Sequence, residues 1–125
     1  MNFEIIWGDR NIYIKFKGHI TIKDIIAVNR KITGNSKYGL LKCNITDFTE
    51  ADSLYLTNND IEFIAALHTI PTIWNPNMKL SIVSNIPDLQ ELILHYIELM
   101  KENEWKIKLM ETLEEAEKWC KCKIE

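Results

Sequence analysis

Glycine is scarce in this chain of 125 residues, and its four copies, Gly8, Gly18, Gly34 and Gly39, lie far apart. A phosphate-cradling loop needs several glycines at one strand-to-helix turn, so the standard nucleotide-binding motifs are excluded. The three histidines, His19, His68 and His95, have neither H-x-x-x-H nor H-E-x-x-H spacing, and no metal site is expected. Cysteine is equally sparse: Cys43, Cys120 and Cys122 form no C-x-x-C pair, which argues against a disulfide framework and against zinc. Cys43 reads as a small core residue of an apolar strand, and Cys120 and Cys122 as packing plus an exposed thiol. Positive charge is not in excess. Lys and Arg number 15 against 18 Asp and Glu, a net charge of -3, so no basic face for nucleic acid is expected. No apolar run approaches the roughly 18 residues that span a bilayer. Met1 to Trp7 carries Glu4 and lacks the basic and apolar regions of a signal peptide. The expectation is a cytoplasmic protein with no membrane span and no cofactor.

What the chain does have is a core. Hydrophobic residues make up 46% and charged residues 26%, the balance of a globular protein, and the length suits one domain over 1-125. Phe3, Ile5 and Trp7 alternate, as do Ile12, Ile14 and Phe16, and Gly8-Asp9-Arg10-Asn11 between them predicts a β-hairpin. Thr21 with Asp24 caps a helix that Gly34 ends. Leu40 to Ile45 reads as a strand, then Ile61 to Ile70 as a helix with Asn59 and Glu62 at capping-box spacing, stopping before Pro71. Leu80 to Ser84 is a strand, Asp88 to about Glu102 a helix, and Trp105 to Met110 a strand in which Trp105, Ile107 and Leu109 alternate with Lys106, Lys108 and Met110. Thr112 and Glu115 cap a terminal helix that packs Leu113, Ala116, Trp119 and Cys120. The order ββαβαβαβα predicts an α/β fold with a mostly parallel five-stranded sheet, an antiparallel first strand and about four helices.

Chemistry in such a fold sits at the carboxyl end of the strands. The third strand there leads into Asp47-Phe48-Thr49-Glu50-Ala51-Asp52-Ser53, read as an acidic and hydroxyl-rich loop. Its carboxylates lack the glycine that a calcium loop uses to turn, so a solvated loop is the better reading. Asp47, Thr49 and Asp52 remain the candidates at this end. Ser53 with His95 and Asp88 could make a hydrolase triad only in outline, because no G-x-S-x-G elbow is present. The segment from Pro71 to Met78 reads as a loop whose Trp74 either forms an apolar contact surface or, the favoured alternative, folds back over the end of the sheet.

The Asp-Phe-Thr-x-x-Asp-Ser spacing, the element order and the closing Glu114-Glu115-Ala116-Glu117-Lys118-Trp119-Cys120 together resemble the STAS superfamily. The likeness is to its small stand-alone bacterial branch, similar to anti-sigma factor antagonists and related in fold to CRAL-TRIO lipid-binding domains. In that branch leucine is usual where Cys120 stands. The antagonist loop reads Asp-Ser-Ser-Gly and its first serine is phosphorylated by a partner kinase, so the resemblance implies Ser53 as the regulatory site, with Asp52 before it. Leu54 and Tyr55 stand where the second serine and the glycine would be.

Two functions follow. The first is a non-enzymatic regulatory or protein-interaction domain, with a partner protein or a second copy of the chain, switched by phosphate at Ser53. The second is a binder of a small apolar or lipid-like ligand, in a pocket between helices and sheet lined by Leu67, Trp74, Tyr96 and Met100.

Overall fold

The structure, a computed structural model, describes residues 2–123, with Ser53 and Leu54 described by their backbone alone. Among these residues the chain runs β1 (Phe3–Trp7), β2 (Asn11–Thr21), α1 (Ile22–Thr33), β3 (Cys43–Tyr55), α2 (Asn58–Trp74), β4 (Lys79–Val83), α3 (Pro87–Met100), β5 (Lys106–Met110) and α4 (Leu113–Cys120). The five strands stand side by side in chain order; β1 is antiparallel to β2 and the other neighbours are parallel. This is the α/β order that the sequence predicts.

Strands added always on the same side, through crossovers of one hand, send every connecting helix over one face. Accordingly α1, α2 and α3 pack together on Ile12, Ile14, Phe16, Leu80 and Ile82. The opposite face presents Tyr13, Ile45 and Val83, and Ala116 of α4 packs on them. Local chemistry supports the turns and caps. At the β1–β2 hairpin the Gly8 N–H donates to the Asn11 carbonyl at 2.8 Å, and a Cβ at Gly8 would collide with the Asn11 side chain. Thr21 opens α1 with its N–H donated to Asp24 at 3.0 Å, and Thr112 opens α4 against Glu115.

Three expectations are corrected. First, α2 is capped by Thr57, whose hydroxyl accepts the Asp60 N–H at 3.1 Å, and not by Asn59. It also runs through Pro71 to Trp74. An interior proline forfeits a helical hydrogen bond, but Pro71 is buried, and its carbonyl accepts the Asn75 N–H at 3.1 Å and the Tyr38 hydroxyl at 2.9 Å.

Second, Asp47 to Ser53 is strand rather than loop. β3 is 13 residues long. Its pairing with β4 ends at Asp47↔Val83, while pairing with β2 continues to Thr21↔Tyr55 through register shifts at Lys15/Lys17 and Gly18/His19. Each shift gives β3 one extra residue, a β-bulge. Bulges break the period-2 alternation, which is why the stretch reads as irregular in sequence.

Third, a disulfide joins Cys43 to Cys120, with Cα atoms 5.8 Å apart, inside the range that such a bridge spans. The two residues are separated by 77 positions. They meet only because α4 folds back beneath the start of β3.

Candidate functional site

Two regions gather chemistry. The first is a cavity of about 100 Å³ between α1–α3 and the sheet. The sheet contributes Ile14, Phe16, Thr46 and Phe48 to its wall; the helices contribute Val28, Ile64, Leu92 and Ile93. These positions follow from periodicity. Even-numbered residues at the start of β3, Asn44, Thr46 and Phe48, face the helices, while the odd-numbered Ile45 faces α4. Phe48 stacks on Phe16 with ring centroids 4.8 Å apart.

The polar fixture of the cavity is a pair of rings. Nδ1 of His68 lies 2.7 Å from the Tyr96 hydroxyl, and the rings meet edge to face at 5.6 Å. Trp105 stands 5.9 Å from His68 on another side. Burial among these groups disfavours the imidazolium and lowers the His68 pKa to about 4. Burial, reinforced by the nearby Tyr38, pushes the Tyr96 phenol up, so it keeps its proton. The cavity therefore holds neutral groups near pH 7, and burying an unpaired charge there would be costly.

Behind this pair lies a knot of hydrogen bonds made by Asn75. Its Nδ2 donates to the carbonyls of Tyr38 and Leu41, each at 2.9 Å, and its backbone carbonyl accepts the Trp105 indole N–H at 2.8 Å. The knot ties the end of α2 to the segments that enter β3 and β5, and so fixes Trp105 against the cavity.

The second region is the carboxyl end of β2 and β3. Asp47 is only 2% exposed, so the expectation of a solvated acidic loop is corrected at this residue. Its Oδ2 accepts the Tyr13 hydroxyl at 2.5 Å, and its Oδ1 accepts the Thr49 N–H at 2.8 Å. Burial first, and the Asp47 contact second, push the Tyr13 phenol up. Glu50 is ion-paired with Lys15. Asp52 is exposed and Thr49 half-buried, and Tyr55, 65% exposed, meets His19 ring to ring at 5.6 Å.

Two solved structures share this architecture. An uncharacterized protein of the DUF3478 family from Shewanella loihica PV-4, with a SpoIIAA-like fold, is similar at a TM-score of 0.56 and 17% identity, over 94% of this chain and 91% of that one. The anti-sigma factor antagonist SpoIIAA in its unphosphorylated form is similar at a TM-score of 0.58 and 12% identity, over 90% of this chain and 91% of its own. This chain has the SpoIIAA-like, STAS-like fold. No family model matches the sequence, nor does any curated protein.

Within this SpoIIAA-like fold the candidate residues fall in different places. Ser53 is a β3 residue paired with His19, two positions before the strand ends; its side chain lies outside the described residues. The hydroxyl residue at the strand-to-helix junction itself is Thr57, committed to capping α2. Of the four residues expected to line a pocket, Tyr96 does so. Met100 is buried in the same core, Leu67 is half-buried, and Trp74 is 61% exposed at the end of α2. Trp74 thus does not fold over the sheet. It shares an outward helix surface with Ile70 and Ile73. His68, Tyr13 and Asn75 are the site residues that sequence reasoning missed. The pairing of His68 with Tyr96 emerges only when α2 and α3 are packed side by side.

Proposed function

We propose that this chain is a non-enzymatic regulatory domain of the STAS type that acts through protein contacts at the carboxyl end of its sheet. The observation that carries the reading is the extension of β3 past β4, which carries residues 52–55 beyond the last β3–β4 pair, where β3 runs beside β2 alone. The likeness to an anti-sigma factor antagonist supports it. Ser53 is the proposed phosphorylation site. A phosphate there adds nearly two negative charges beside Asp52, which repels an acidic partner surface and recruits an arginine-bearing one.

Phosphosite mapping of the protein from its own host, paired with cross-linking of wild type, Ser53→Asp and Ser53→Ala, tests this. Phosphoserine at residue 53, with one partner bound by Ser53→Ala and lost by Ser53→Asp, is the expected result. Absence of the modification together with identical partners for all three proteins overturns it.

The cavity favours a second reading, that the domain binds a small apolar molecule between α1–α3 and the sheet. Its apolar lining supports a small uncharged ligand: the space, about 100 Å³, is of the same order as, though smaller than, the roughly 150 Å³ apolar cavity that admits benzene. Native mass spectrometry of the protein purified from its host should show a bound small molecule. A consistently bare chain mass counts against this reading.

A further inference from the structure

Among the described residues, α4 is the helix that covers the face of the sheet opposite α1–α3. It is 8 residues long, shorter than a helix that holds by itself in water. Its apolar anchorage is narrow: Ala116 is fully buried, while Leu113 and Trp119 stay half-exposed. Lys79 and Lys108 place their ammonium groups 5.1 and 5.5 Å from the Trp119 ring, and Lys79 also donates to the Trp119 carbonyl at 3.3 Å. The covalent tie is in the last turn, where Cys120 is bonded to Cys43. On the face below, the Ser81 hydroxyl is buried with no hydrogen-bond partner among the described residues, a bond that water would make once α4 lifted.

We propose that the Cys43–Cys120 bridge is a reducible latch: it holds α4 against the sheet when oxidised and lets α4 detach when a dithiol reductant opens it. Cys43 is 2% exposed, whereas Cys120 is half-buried, so the attack falls on Cys120 Sγ. One reductant thiolate forms a mixed disulfide there, the S–S bond breaks, and Cys43 leaves as a thiolate that takes up a proton. The second reductant thiol then attacks the mixed disulfide and frees Cys120 as a thiol. The bridge gains two electrons and two protons, and the reductant becomes a disulfide. Cys122 is a free thiol two residues beyond Cys120 and takes no part in the bridge. The latch is independent of the cavity and of Ser53, and acts on the other face.

The test joins thiol counting to amide exchange. Iodoacetamide applied to the native protein, read by intact mass, should label one cysteine before dithiothreitol treatment and three after it. On reduction the amides of 113–120 should exchange at least tenfold faster, while those of β2 and β4 keep their protection. Cys120→Ser should show the fast α4 exchange without reductant, and Cys122→Ser should behave as wild type. Three labels without reductant overturn the proposal, as does unchanged α4 exchange on reduction. Acceleration spread equally over the whole sheet also overturns it, because the bridge would then staple the fold rather than latch one helix.

Discussion

The Tyr13 hydroxyl donates to Oδ2 of Asp47 at 2.5 Å across neighbouring strands, and both residues are buried. The other carboxylate oxygen accepts the Thr49 N–H at the first bulge of β3. Both oxygens of Asp47 are thus occupied in shaping the strand. A residue that looks catalytic by type and position instead bends β3 so that its last residues run on beside β2 alone.

Removing the phenol oxygen tests this directly. Tyr13→Phe leaves Oδ2 of a buried carboxylate without its donor, and hydrogen bonds to charged groups contribute about 1.5–3 kcal/mol. Urea unfolding should show a loss of that size with the slope unchanged. In a double-mutant cycle with Asp47→Asn the two losses should be less than additive. Additive losses would mean that the two residues do not act as a unit.

Asn75→Asp is a near-isosteric change with a large expected effect. The amide donates to two carbonyls, those of Tyr38 and Leu41, and a carboxylate can only accept. Two acceptors lose their donor and a negative charge faces them, which should cost about 3 kcal/mol or more near neutral pH. Asn75→Asp should recover part of that stability as the pH falls and the carboxyl takes up a proton. Equal stability of the two proteins across pH 5–8 would contradict the knot.

The sequence made the element order legible because each helix carries an apolar stripe and each strand a run or an alternation. Thr21, Thr112 and the proline at the start of α3 sit where capping rules place them. The latter half of β3 reads as a loop in sequence because bulges at Asp47–Glu50 and Ala51–Ser53 put two residues where one belongs, destroying the alternation that signals a strand. Pro71 reads as a helix stop because propensity is local, whereas its burial and the Tyr38 bond to its carbonyl are tertiary. The cavity and the Cys43–Cys120 bridge depend on which face each element covers, and one sequence alone does not state that.

His68 gives the stability a pH signature. Its pKa is lowered to about 4 by burial, below the ordinary histidine value near 6.5. The unfolded chain therefore takes up the proton first as pH falls. The His68 contribution is complete above about pH 6.5, declines below it and is exhausted near pH 4, a loss of about 2 kcal/mol by pH 4.5. Paired urea titrations of wild type and His68→Gln at pH 7 and 4.5 isolate this contribution, since the other groups cancel to first order. The wild type should lose more stability on acidification. Parallel curves would mean that the ring charges freely in the folded protein.

Filling the cavity should stabilise the fold and exclude a guest at once. Val28 is buried on its wall, and Val28→Ile adds one methyl group at that wall. Burying a CH₂ contributes about 0.8 kcal/mol, and the cavity lining regains dispersion contacts it lacks. If the site were already filled, the same substitution would strain the packing and cost roughly 1–3 kcal/mol. The sign of the change therefore reports whether the space is real. Thermal unfolding with and without benzene gives the second measurement: a neutral ring should raise the wild-type midpoint, because a ligand bound to the native state alone stabilises it by mass action. The rise should shrink in Val28→Ile. Destabilisation by Val28→Ile, with no shift from benzene in either protein, would mean a closed core and leave the sheet end as the working surface.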